Sequence, residues 1–165
     1  ILLGHALIAA FGGIPLIYMG DELALTNDWS YLNDPDHAHD SRWVHRPRMD
    51  WGLAEARQTA DRPSARVFRG VREILARRAA VPALHGAVPV RVVSSGNEAV
   101  FAFQRVAPTG VLLGLFTSPE QWQEVGEAGV GGRGVTGLRD ALSEARVETH
   151  GGQVVLPPYG RVWLT

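Results

Sequence analysis

The chain contains no cysteine and no lysine. The first absence excludes disulfides, thiolate nucleophiles and cysteine-ligated metals. The second makes all sixteen basic side chains arginine. With Ala, Val and Gly also abundant, this reads as compositional bias rather than phosphate recognition. Charge of either sign is not in excess, the formal net value being −1 at pH 7. Such a balance gives no electrostatic reason to expect nucleic acid or an acidic membrane surface as partner. Apolar runs are short, and none approaches the roughly twenty residues that a membrane-spanning helix requires.

What is present fits one ordinary domain, or one small domain with part of another. The first residues, Ile1-Leu-Leu-Gly-His-Ala-Leu-Ile-Ala-Ala-Phe11, carry neither an initiator Met nor a basic leader region. Leu2, Leu3, Ala6, Ala9 and Ala10 fall at helical spacing, and Leu7, Ile8 and Phe11 leave almost no polar face. This predicts a buried helix. Gly12-Gly13 and Pro15 stop it. A chain that opens inside such a helix is expected to be the C-terminal portion of something longer. Ile14 to Met19 reads as a short strand buried on both faces, as in a parallel sheet.

Residues 20 to 60 lack clear periodicity, and a stretch of that length without regular structure in a compact domain is usually functional. A second helix follows. Asp61 is placed to cap it, Pro63 lies in its first turn, and Val67, Phe68, Val71, Ile74 and Leu75 form one apolar stripe. Burying those five side chains contributes at most about 1.5–3 kcal/mol each. Pro82 ends the element, and the domain boundary is expected there. Beyond it, Val88–Ser94, Ala99–Val106, Val111–Thr117, Val154–Leu156 and Tyr159–Leu164 are short β-rich segments. Ser-Gly-Asn, Pro-Thr-Gly, Gly-rich and Pro-Pro breaks separate them. They predict an antiparallel sandwich. Trp122 and Trp163 are expected in its core, and His85 and His150 on its surface. The glycine cluster at 126–137 is the one biased tract.

The chemistry concentrates in residues 20–51. Asp21 and Glu22 are adjacent, so on a strand they point to opposite faces and cannot serve each other as acid and base. Capping the loop or pairing with an arginine is the expectation for them. Asp34-Pro-Asp-His-Ala-His-Asp40 offers oxygen and nitrogen donors, but its i, i+2 spacings match no familiar zinc or calcium pattern. No metal and no cofactor are expected. Arg42 lies in a loop with Trp43, His45, Arg46, Arg48 and Trp51, which combines forked donors with apolar ring faces. Hydroxyl-rich ligands use both kinds of contact. The same arginines can equally pin the loop to its own Asp34, Asp36, Asp40 and Asp50, and the residues alone leave both readings open.

Gly13-Ile-Pro-Leu-Ile-Tyr-Met-Gly-Asp-Glu22 resembles the eighth-strand motif of the α-amylase superfamily, glycoside hydrolase family 13. Asp40-Ser-Arg-Trp-Val-His-Arg-Pro-Arg48 resembles the corresponding loop of the amylosucrases, which transfer glucose from sucrose to an α-1,4-glucan and release fructose. The resemblance implies the last part of a (β/α)8 barrel over residues 1–82: seventh helix, eighth strand, long loop and eighth helix. An antiparallel β-sandwich over 83–165 follows. It implies that Arg42 binds substrate by closing the sucrose pocket through an aspartate from an early barrel loop, and that sucrose and an α-glucan acceptor are the partners. The family's catalytic carboxylates have no counterparts here, so no residue of this chain is assigned a catalytic role. Two alternatives remain. One is a superfamily relative such as a sucrose hydrolase, trehalose synthase or α-glucosidase. The other is a non-catalytic β-sandwich that binds glucan or buttresses a barrel.

Overall fold

Alternation decides the β-rich half. In the computed structural model, which describes residues 1–59, 61–126, 130, 138–147 and 149–165, the predicted segments become β1 (Val90–Val93), β2 (Val100–Ala107), β3 (Gly110–Thr117), β6 (Gln153–Leu156) and β7 (Arg161–Leu164). Two strands were not expected, β4 (Gln123–Gly126) and β5 (Thr149–His150). Among the described residues every ladder is antiparallel. One sheet has the order β1-β2-β3-β7 and the other β4-β6-β5.

The chain forms two compact units: Leu2–Pro15 with Glu73–Thr165, and Ile1 with Leu16–Arg72. In the first, the four-stranded sheet is covered on both faces. Val100, Ala102, Leu113, Leu115, Val162 and Leu164 face Val125, Val154 and Leu156 of the smaller sheet. Their alternate neighbours Phe103, Leu112, Phe116 and Trp163 share a second cluster with Ala6, Ala9 and Ala10 of helix α1 (Leu2–Phe11). Alanines let the helix lie close to the sheet. At the middle of that face stands Gly114, opposite Phe103 on one side and Trp163 on the other. A Cβ there would sit 2.5 Å from the Phe103 ring, so only glycine fits.

The structure corrects three expectations. Helix α1 is not buried all round, because Ile8 and Phe11 lie opposite the alanine stripe and are exposed. Ile14–Met19, expected as a strand, forms none. A parallel strand exists only through ladder bonds to its neighbours, and among the described residues none pairs with this segment; Ile14 is 92% exposed. Trp122 is 65% exposed because it precedes β4 and belongs to no sheet, whereas Trp163 is fully buried as expected. His85 and His150 are exposed. Of the glycine cluster, only Gly126 and Val130 are among the described residues.

In the other unit, Asp50 accepts from the Leu53 amide at 2.9 Å and starts helix α2 (Trp51–Ala56). Helix α3 (Pro63–Ala80) begins in this unit and ends in the first. Its Val67, Val71 and Ile74 are buried along the predicted stripe.

Candidate functional site

Residues 20–50 consist of successive tight turns, each closed by an acidic residue. At Gly20 the backbone takes φ 102°, a left-handed value suited to glycine. There the chain turns into a 3-10 segment at Asp21–Leu23. Glu22 Oε2 accepts from the Gly20 amide at 2.8 Å, and Leu23 plugs the turn with 2% exposure. Both carboxylates therefore belong to a turn after the extended segment, as the capping expectation has it for Glu22.

The aspartates repeat one device. Asp28 accepts from the Ser30 amide at 2.9 Å, Asp34 from Asp36 at 3.0 Å, and Asp40 from Arg42 at 3.0 Å. A short carboxylate that takes the amide two residues on nucleates a turn. Each of the three carboxylates is thereby engaged in closing its own turn. Among the described residues, no three His, Asp or Glu side chains are grouped to hold an ion.

Arg42 lies in the 3-10 segment Ser41–His45. Its guanidinium forks onto the carboxylate of Asp40, Nε to Oδ1 at 2.9 Å and Nη2 to Oδ2 at 2.8 Å, while remaining 76% exposed. The fork and the amide bond together draw the Asp40 carboxyl down to about 2. That lowering sets a sign. The interaction favours the folded loop at every pH above the ordinary carboxylate range and weakens as pH falls from about 4 toward 2. A carboxyl-carbon NMR titration should place Asp40 near 2 in the parent and higher in Arg42→Ala, still below the ordinary value because the backbone amide bond remains. A parent midpoint near 4 would show that the fork does not persist in solution.

A second group assembles nearby. His37 stacks on Trp43 with centroids 3.7 Å apart, Arg46 lies over the same indole at 5.2 Å, and His37 Nδ1 meets Asp34 Oδ2 at 2.9 Å. The Asp28 amide donates to the Val44 carbonyl at 2.9 Å, joining two of the turns. These groups line a pocket of about 100 Å³ with Asp28 and Tyr31. That is small beside the roughly 300–1,000 Å³ of an ordinary ligand pocket. Arg42 does not line it, and Trp51 is 71% exposed. The loop thus brings Trp43, Arg46 and Arg48 together and turns Arg42 onto Asp40. Sequence reasoning did not anticipate His37 as the stacking partner, although the alternating Asp and His run contained it.

Residues 90–165 match the family model for the amylosucrase C-terminal domain. The match takes in all of β1 to β7. Three solved structures resemble nearly the whole chain, each over 99% of its length. A cyclic α-maltosyl-(1→6)-maltose hydrolase from Arthrobacter globiformis, in complex with that sugar, is 24% identical with a TM-score of 0.65. An AmyP variant in complex with maltotriose is 20% identical with a TM-score of 0.71. The trehalulose synthase MutB is 17% identical with a TM-score of 0.66. The chain spans 29%, 33% and 38% of their respective lengths. At these identities the likeness is one of fold.

Proposed function

We propose that this chain is the C-terminal portion of an amylosucrase-like glucosyltransferase, which moves glucose from sucrose to an α-1,4-glucan and releases fructose. The observation that carries this reading is the match of residues 90–165 to the amylosucrase C-terminal domain, preceded in the same chain by the Asp40–Arg48 loop. Residues 1–82 then complete a (β/α)8 barrel and 83–165 form its sandwich. The exposed apolar side chains of Ile14, Leu16 and Met19 fit this reading, since neighbouring barrel strands would bury them. The sugar complexes of two similar folds favour carbohydrate partners.

The chemistry lies upstream. A retaining mechanism uses two carboxyl groups about 5–5.5 Å apart, one as nucleophile and one as acid/base. Glu22 is engaged in its own turn and Asp40 by Arg42, so neither takes those roles. Arg42 contributes binding and orientation, acting through differential stabilisation of the oxocarbenium-like state. For that it exchanges or shares Asp40 with the early-loop aspartate. A second reading, another sucrose-active or glucan-active member of the superfamily, draws on the likeness to trehalulose synthase.

Product analysis on the upstream-extended protein, given sucrose alone, separates these. Fructose in excess over glucose, with α-glucan appearing, is expected. Equal fructose and glucose without polymer indicates hydrolysis. No consumption of sucrose removes the amylosucrase reading.

A further inference from the structure

We propose that Arg105 and Arg78 are a positioning pair, a guanidinium clasp that fixes the carboxyl end of α1 and the Gly12–Gly13 turn. The clasp thereby fixes the backbone at the exit from α1. Arg105 projects from β2 on the face that carries Phe103 and is fully buried. Its Nη1 donates to the Ala10 carbonyl at 3.0 Å, and its Nη2 donates to those of His85 and Val88 at 2.6 and 2.7 Å. Arg78, in the last turn of α3, donates to the Ala9 carbonyl and, at 2.8 Å, to that of Gly13. Neither guanidinium meets a carboxylate among the described residues.

The last four carbonyls of a helix have no partner within it, and Ala9 and Ala10 belong to that set in α1. Positive charge at this end also opposes the negative pole of the helix. A glycine turn alone satisfies one or two such carbonyls; here two arginines distant in sequence are spent on them. Burial and the neighbouring Arg78 push the Arg105 guanidinium below its ordinary value, the expected response of a buried cation without a counter-ion. Stability alone favours an apolar side chain at such a place.

What a guanidinium adds is direction. Apolar packing is non-directional, whereas these bonds hold the end of α1 in register with the turn at residues 85–88. That turn is close: a Cβ on Gly86 would lie 3.3 Å from the Gly13 carbonyl oxygen. Gly13 itself is left-handed at φ 62°. Pro15 follows two residues later, so the exit from α1 has little freedom once Gly13 is held.

The test compares Arg105→Met with Leu156→Ala in the upstream-extended protein. Leu156 is fully buried between the sheets and touches neither arginine's role. Amide exchange in residues 10–16 is expected to quicken at least tenfold more in Arg105→Met than in Leu156→Ala, with Arg105→Lys recovering part of the protection. Equal exchange in both variants would overturn the clasp and leave Arg105 as ordinary core. Should Arg105→Met fail to fold, Arg78→Met removes the Ala9 and Gly13 bonds only, and the same local quickening decides. The consequence for activity rests on the glucosyltransferase reading: KM for sucrose rises about fivefold in Arg105→Met and stays unchanged in Leu156→Ala. Absence of sucrose turnover in the parent would defeat that reading, while the exchange comparison still judges the clasp.

Discussion

Arg42→Ala in the upstream-extended protein is expected to lower kcat/KM for sucrose roughly a hundredfold or more, with no measurable loss of stability. The size follows from what is removed. On the glucosyltransferase reading, the Arg42 guanidinium meets a carboxylate and a sugar in a pocket closed by the upstream barrel loops. Truncating one member of such a pair leaves the other charge desolvated and unpaired, which is the costly outcome for an enclosed ion pair. The absence of a stability effect follows from the structure of the loop. Arg42 is 76% exposed, and exposed ion pairs contribute little after solvent screening. The turn itself is held by the Arg42 backbone amide on Asp40, which alanine retains. Arg42→Lys should recover only part of the activity, since a point charge cannot reproduce the fork. Parallel measurements of Tm and of sucrose kinetics check both halves. Turnover within about threefold of the parent would mean that Arg42 pins the loop to Asp40 and does nothing more.

The two readings of Arg42 stayed balanced in the sequence for a physical reason. The same fork that suits a sugar pocket suits Asp40 two residues away, and composition does not distinguish a resting partner from a working one. Other features were legible. Val100–Arg105 alternates, so β2 was read with its correct period, and the stripe from Val67 to Leu75 marked the buried face of α3. Strand β4 was not legible because Val125 is its one buried residue, and two-residue β5 carries no pattern at all. Ile14–Met19 has the composition of a buried strand, yet a strand is a relation between chains of hydrogen bonds and needs neighbours. The turn-closing role of Asp28, Asp34 and Asp40 was not legible, because the amides they accept from are backbone groups that every residue offers. Arg105 escaped notice because an arginine ending an alternating strand reads as outward. Its partner at Ala10 lies 95 residues away, beyond the reach of local pattern.

The second large effect belongs to the core. Trp163→Ala is expected to destabilise the protein by about 3–5 kcal/mol, while Trp163→Phe costs less than about 1.5 kcal/mol. The indole is fully buried and pairs in register with Gly114, which has no side chain to fill the space beside it. Phe103 and Phe116 stack with centroids 5.7 Å apart on the same face, and the α1 alanines belong to the same cluster. Those alanines are too small to collapse into a void, so the cavity persists. The backbone does not compensate. Trp163 N–H donates to Asp140 Oδ1 at 2.9 Å and its carbonyl accepts from Ala141 at 2.8 Å, and both bonds exist whatever the side chain. Phenylalanine is tolerated because Trp163 Nε1 is buried without a hydrogen-bond partner among the described residues. Deleting it removes a desolvated donor, which offsets part of the lost contact. For a chain of this length each kcal/mol shifts Tm by about 2–4 °C, so the alanine variant should melt roughly 6–20 °C lower. Urea unfolding of the two variants beside the parent decides the matter. If phenylalanine costs as much as alanine, the indole nitrogen has a partner, and the second face of the sheet holds a polar contact at its centre.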